Sequence, residues 1–341
     1  MERIFKKHFG NETLARLEDS AVVDTGSRRI AVSTDSFVVT PLVFPGGDIG
    51  KLAATGTIND VLMSGAKPRY LTCGFIIEAG LSIQLLDSVC GSLAAVAAEA
   101  GVMIISGDTK VVEGRGEEGG LIINTTGIGV FEEPKIAPDA ACAGASAYPE
   151  TQIQRPMPGG IRPGDAIIVS GNLGDHHAAI LSVRMEIQND IKSDCALLTP
   201  IIDALHRAGI DIHSMRDVTR GGLATVLNEL AVASGVEILL EEERIPVHPA
   251  VKAFCGIMGL DPIYMGNEGK VVMAVAQEDA ERALRCIRET CIGKDAAIIG
   301  MVRTPAETDA SRSHIPLSMQ TRLGGNVRMD VLYGEGLPRI C

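Results

Sequence analysis

The sequence predicts an α/β protein of two domains with mixed sheets, on three observations. Segments rich in β-branched residues alternate with Ala- and Leu-rich segments of helical period, the pattern that stacks helices on sheets. At 341 residues the chain can bury two cores of ordinary size. Between residues 134 and 164 the composition shifts to Ala, Pro and Gly, with six prolines in that window. Residues 1–133 are therefore expected to form one domain, 134–164 a linker or insertion, 165–309 a second domain, and 310–341 a tail ending in a cysteine.

In the first half, residues 30–39 are β-rich and end at Thr40-Pro41. Pro45-Gly46-Gly47-Asp48 makes a loop whose Asp48 caps a helix from Ile49 to about Ser64. A strand is expected at 70–78, then an Ala-rich helix over 83–100 that stops at Gly101. Residues 102–106 and 120–130 read as further strands. In the second half, strands are expected at 165–170, 236–240, 270–276 and 297–302. Helices are expected at 178–185, 200–208, 222–234 and 279–290. From Thr304 onward the chain reads as irregular, apart from a short strand at 328–332.

Composition excludes several functions. Charged residues are 22% and hydrophobic ones 46%, a globular balance. A net charge of −12 opposes a nucleic-acid groove, and 3% aromatics with no Trp leave little for base stacking. Met1 to Gly10 shows no secretory pattern, and no apolar run approaches the ~18 residues of a membrane span. The 8 cysteines form no CxxC pair, which places the chain in a reducing cytoplasm. Cys73, Cys90 and Cys286 read as small core residues.

Four constellations could carry chemistry. On a helical wheel Asp60 falls amid Ile49, Leu52, Ala53, Gly56 and Met63, so its carboxylate must be neutralised, hydrogen-bonded or metal-bound. Gly107-Asp108-Thr109-Lys110 follows a strand as either a ligand loop or a turn. Arg216-Asp217-Val218-Thr219-Arg220-Gly221-Gly222 opens a helix, as a phosphate cradle with Asp217 against a cation or as a simple capped start. Asn267-Glu268-Gly269 is a turn or a poised carboxylate. His176-His177 reads as a solvated or core-edge pair. A GxxxxGK[ST] loop, a kinase set and a GxSxG elbow are all missing from the sequence. The last residue, Cys341, follows Gly334 and Gly336 on a segment with no core of its own, where a thiol could move between sites.

In this order the motifs resemble the hydrogenase expression/formation protein E (HypE) family of the PurM-like ATP-binding superfamily. The resemblance rests on Ser33-Thr34-Asp35-Ser36, Phe44 to Lys51, Asn59-Asp60, Ser106 to Lys110, Asn124 to Gly129 and Ser170 to His176. Ser193-Asp194-Cys195, Met215 to Leu223, Asn267 to Lys270 and the terminal Pro338-Arg339-Ile340-Cys341 complete it. It implies a two-domain PurM-like fold, dimerised through the sheet of the N-terminal domain, with a flexible C-terminal tail. It also implies ATP and Mg2+, with Asp19, Asp60 and Asp217 as metal ligands. Asp35, Lys51, Asp60, Gly107, Asp108, Thr109, Asn124 and Arg220 would contact nucleotide, and Cys341, Glu268 and Lys110 would carry the chemistry. The chain departs from the family pattern at Glu18-Asp19-Ser20-Ala21-Val22, at His177 where glycine is common, and at Met265-Gly266.

For that family the implied reaction is ATP-dependent dehydration of a carboxamide on the terminal thiol, giving a thiocyanate that supplies cyanide for nickel-iron hydrogenase. The implied partners are the carbamoyltransferase HypF, the HypC–HypD complex and a second copy of the chain. Two other readings are another PurM-like kinase or synthetase acting on a free small molecule, and a non-catalytic cysteine carrier. The terminal cysteine argues against the first, and the three aspartates against the second.

Overall fold

The computed structural model describes residues 19–26, 29–114, 119–131, 160–305 and 316–332. In the first half, strands β1 (Ala21–Asp24), β2 (Arg29–Phe37), β5 (Lys67–Glu78), β6 (Met103–Val112) and β7 (Leu121–Val130) form one mixed sheet, ordered β1-β2-β7-β5-β6. The short strands β3 (Val43–Phe44) and β4 (Gly47–Asp48) lead into helix α1 (Ile49–Met63), and α2 (Ile83–Glu99) packs beside it. Asp48 caps α1 as its sequence position predicts, accepting from the amides of Gly50 and Lys51 at 2.8 and 2.9 Å. Glycines let α1 lie close to the sheet: a Cβ at Gly127 would sit 2.9 Å from the methyls of Thr57 and Val61. Alternate residues of β7 (Leu121, Ile123, Thr125) are buried beneath α1.

In the second half, β8 (Ala166–Val169), β9 (Ile212–Asp217), β10 (Glu237–Glu241), β11 (Val271–Val275), β12 (Ala297–Arg303), β13 (Leu317–Gln320) and β14 (Asn326–Arg328) form a seven-stranded sheet ordered β14-β13-β10-β12-β8-β11-β9. It lies between two apolar cores. Ile168, Val271, Met273 and Val275 face α3 (Asp175–Arg184), α4 (Thr199–Ala208), α6 (Pro249–Met258) and α7 (Ala280–Arg288). The alternate residues Ile167, Val169, Val272 and Ala274 face α5 (Gly222–Ser234). The first of these cores also contains Ile49, Leu52 and Ile58 of α1, so the two halves share one hydrophobic interior.

Three expectations change here. Residues 107–110 do not form a loop after a strand; β6 runs on through them to Val112. Gly107 and Asp108 favour ending the strand there, and the parallel pairing with β5, Gly74 opposite Asp108, outweighs that local preference. Residues 317–320 pair with β10 and extend the second sheet beyond residue 309, and the strand placed at 328–332 lies instead at Asn326–Arg328. Cys90 is exposed and Cys286 half-buried, whereas Cys195 and Cys255 join Cys73 in the interior. Helix α2 turns Val89 and Leu93 inward, which leaves the neighbouring Cys90 about 100° off the buried stripe.

Candidate functional site at the junction of the two halves

The site lies where α1 meets the end of β9. Helix α1 is buried without a break from Leu52 to Asn59, because it is packed between its own sheet and the second half of the chain. Its wheel therefore has no polar face, and Asp60 is a half-buried position between the buried Asn59 and Val61. Ser33 on β2 donates to Asp60 Oδ2 at 2.7 Å. Thr57, one turn before Asp60, donates to Asp35 Oδ2 at 3.1 Å. Asn124 on β7 donates to the Asp35 carbonyl and to Ser36 Oγ at 2.8 and 3.0 Å, so its amide fastens β2 in place. Asp217 ends β9, buried, beside Arg216.

These carboxylates repel one another. Burial, then the charges of Asp217, Asp35 and Asp19, push Asp60 well above the usual carboxylate range, against the Ser33 hydrogen bond. Asp217 is pushed up to about 6, first by burial; Arg216 opposes the rise and Asp35 adds to it. Asp19 is likewise raised by burial and Asp217, although the Arg216 guanidinium contacts its Oδ1. Its other oxygen, Oδ2, is buried with no hydrogen-bond partner among the described residues. Glu268 is raised by burial, then by Asp217, Asp194 and Asp35, with Arg220 opposing.

A divalent cation fits this donor set by its chemistry. The oxygens are hard, the charges exceed what Arg216 and Arg220 offset, and Asp19 Oδ2 lacks a partner. Among the described residues, no three of these side chains are already drawn around one point.

The turn from β9 into α5 is a glycine-rich helix start, in which the Gly222 amide donates to the Thr219 carbonyl at 3.0 Å. Gly221 and Gly222 have φ of +78° and +64°, and a Cβ at Gly222 would meet the Ile263 carbonyl oxygen at 2.6 Å. No side chain caps α5, and Arg220 is exposed beside it. Lys51 donates to the Gly46 carbonyl at 2.9 Å. The Asn267-Glu268-Gly269 turn is fixed by Asn267, whose Oδ1 accepts from the Gly174 amide at 2.8 Å and whose Nδ2 donates to the Val218 and Met265 carbonyls, each at 3.0 Å. On its far side, a cavity of about 650 Å³ reaches Asp194, Lys270, His248 and Asp175.

Of the residues singled out by sequence, Asp19, Asp35, Asp60, Asp217 and Glu268 share one electrostatic environment, with Arg220 at its margin. Gly107, Asp108, Thr109 and Lys110 do not join them. They lie on the exposed edge strand β6, with Asp108 three strands from Ser36, about 14 Å away at ordinary strand spacing. Cys341 falls outside the described residues. His176 and His177 are buried, against expectation, and burial pushes each down to about 4. His176 seats its ring edge on Phe44, 5.5 Å away, and pairs with Ser193 Oγ at 2.8 Å. Sequence reasoning gave no role to Ser33, Thr57, Arg216 or Asp194, although the motifs contain Ser33, Arg216 and Asp194; their proximity to Asp60, Asp35, Asp19 and Glu268 is set by packing between elements distant in the chain.

Comparison with known proteins agrees along the whole chain. Residues 17–131 match the AIR synthase related protein N-terminal domain, and 162–309 the corresponding C-terminal domain. The chain is 43% identical over 343 residues to the carbamoyl dehydratase HypE of Azotobacter vinelandii, covering 100% of this chain and 93% of that protein. It is 42% identical to the Escherichia coli K12 protein of the same name, covering 99% and 94%. A crystal structure of a HypE–HypF complex superposes with TM-score 0.83 at 41% identity, covering 97% of this chain and 99% of that one. HypE in complex with ATP gives 0.80 at 44%, covering 99% and 94%. An Aquifex aeolicus thiamine monophosphate kinase, at 17% identity and TM-score 0.63, shares the fold alone. With relatives this similar over its full length, the chain belongs to the HypE family of carbamoyl dehydratases that serve hydrogenase maturation.

Proposed function

We propose that this chain uses ATP to dehydrate a carboxamide carried on the thiol of Cys341, giving a thiocyanate, ADP and phosphate. The observation that carries the residue roles is the buried junction where Asp60 and Asp217, from opposite halves, meet beside Glu268. An amide oxygen leaves only after it has been phosphorylated, so the enzyme's main task is to align a phosphoryl group with that oxygen. The oxygen departs in phosphate as the carbon–nitrogen triple bond forms, and both amide protons must be removed.

Asp19, Asp60 and Asp217 would hold magnesium, which when bound supplies positive charge against the triphosphate. The start of α5, which no side chain caps, and the exposed Arg220 suit an anion approaching the same place. Asp35, held by Thr57, and Lys51, bonded to the Gly46 carbonyl, would contact the nucleotide. Glu268, kept basic by its acidic neighbours, is the residue assigned to take the amide protons.

The edge strand suggests the dimer. Met103 and Val111 are 65% and 66% exposed on β6, an apolar row whose outer edge is unpaired among the described residues and that a second copy would cover. Gly107, Asp108, Thr109 and Lys110 on that edge would then face the partner copy. HypF is the partner that loads Cys341, in line with the related HypE–HypF complex; we extend this to HypC–HypD as acceptor. The described free cysteines, and the lack of any described helix able to cross a membrane, suit a cytoplasmic enzyme.

The test combines the protein with carbamoyl phosphate, ATP and HypF, and weighs the C-terminal peptide. A carbamoyl adduct that loses water only when ATP is present is the expected result. No adduct at Cys341 would refute the proposal.

A further inference from the structure

We propose that Asp194 is a positioning residue that fixes Glu268 relative to Asp60, through one irregular segment bonded to both halves of the chain. This rests on the assignment of Glu268 as the base. Residues 193–198 cross from the second half onto the first. The Ser193 amide donates to the Pro45 carbonyl at 2.8 Å. Asn59, the neighbour of Asp60, donates from Nδ2 to the Ala196 carbonyl at 3.1 Å and accepts from the Leu198 amide at 2.9 Å. The same segment grips the Glu268 turn. Asp194 accepts from the Glu268 amide at 3.1 Å, the Gly269 amide at 3.2 Å and Lys270 Nζ at 2.9 Å.

Stability does not require these residue types. The side chains of Lys270 and Asp194 are only 9% and 3% exposed, and a buried ion pair is commonly no better than an apolar pair of the same volume. What an apolar pair cannot do is accept hydrogen bonds from two consecutive turn amides while also holding a third donor; a carboxylate can. The turn is also pressed against the segment, since a Cβ at Gly269 would meet the Ala196 nitrogen at 2.9 Å. Asn267 anchors the opposite flank. Glu268 is thus located by its backbone from both sides, and the piece that locates it is bonded to the residue next to Asp60. A small displacement of a base costs up to about 100-fold in rate.

The test uses the full chain with Cys341 already loaded by HypF. ATP is added, and single-turnover thiocyanate formation is followed by peptide mass. Asp194→Asn puts an NH2 group against the amide and ammonium donors, and should slow dehydration about 10- to 100-fold. Loading of Cys341 and the dissociation constant for ATP should stay within about twofold. Asp194→Asn/Lys270→Met removes the stranded ammonium, and should restore the melting temperature while leaving dehydration slow. If dehydration recovers together with melting temperature, or if Asp194→Asn dehydrates at the parent rate, the inference is overturned. Glu268→Gln separates the two layers. A parent rate there overturns the base assignment and this inference with it, whereas an inactive Glu268→Gln beside a fully active Asp194→Asn overturns the positioning role alone.

Discussion

The acidic junction and the β6 edge carry equally conspicuous motifs, yet the fold treats them in opposite ways. At the junction, Asp60 of α1 and Asp217 of β9 lie close to Asp35 of β2, and burial with mutual repulsion raises the proton affinity of Asp60 and Asp217. On β6 every residue from Met103 to Val112 is exposed, and among the described residues the strand is paired on one side only. The junction is assembled within one chain, by packing α1 against β9. The edge, in the proposed function, is completed by a second molecule. Substitutions at the junction should therefore change chemistry before assembly, and substitutions on the edge the reverse.

The largest effect is expected at Asp217. Asp217→Asn should lower ATP-dependent dehydration by on the order of 10²- to 10³-fold, measured as thiocyanate formed on loaded protein. The dimer should be unaffected. The same change should stabilise the nucleotide-free protein at pH 7.5. The pKa of Asp217 is raised to about 6 in the fold, so between the unfolded value and 6 the native state binds the extra proton. Stability is therefore lost as pH rises through that window, by roughly 2–3 kcal/mol at its upper end. The variant escapes this loss, so its advantage in thermal melts should be present at pH 7.5 and absent at pH 4. Equal advantages at the two pH values would show that repulsion at the junction is not what destabilises it.

Glu268→Gln comes next. As general base its loss should cost about 10²-fold or more in dehydration, while carbamoyl loading of Cys341 continues. Single-turnover mass spectrometry reads both. Unchanged dehydration would leave the junction as a binding site without a base.

The acidic residues were legible in the sequence because each sits where its neighbours give it no structural purpose. Asp60 is embedded in an apolar helix, Asp217 precedes a Gly-Gly helix start, and Glu268 follows an asparagine in a turn. Their supports were not legible. Ser33 and Arg216 look like any strand polar residue until α1 and the segment near residue 19 are brought alongside. Asp194 lies 74 residues from Glu268, and nothing local links them. Residues 107–110 failed for a different reason. Gly and Asp usually end a strand, but tertiary pairing with β5 outweighs that local preference. The buried His176-His177 pair was misjudged because Phe44 and the second half of the chain cover it, which depends on how the halves pack.

On the edge, Val111→Lys should disrupt the proposed dimer by placing a charge on the strand assigned to its interface. Light scattering should show at least a tenfold rise in the dimer dissociation constant, with the melting temperature nearly unchanged, since Val111 is 66% exposed in the single chain. Retained dimerisation would move the interface elsewhere and return Lys110 to the status of a surface residue.

The smallest effect separates the junction's two layers. Ser33→Ala removes the hydroxyl that donates to Asp60 Oδ2 at 2.7 Å and favours its ionised form. A hydrogen bond to a charged group contributes about 1.5–3 kcal/mol, part of which water would replace at this partly buried carboxylate. Without the bond Asp60 rises further, and a larger fraction is protonated near neutrality. Since a proton and a cation compete for the same oxygens, the affinity for magnesium with ATP should fall a few-fold at pH 7 and much less at pH 8.5. Calorimetric titrations at the two pH values read this directly. A loss of the same size at both would mean that Ser33 shapes the position of Asp60 rather than its charge.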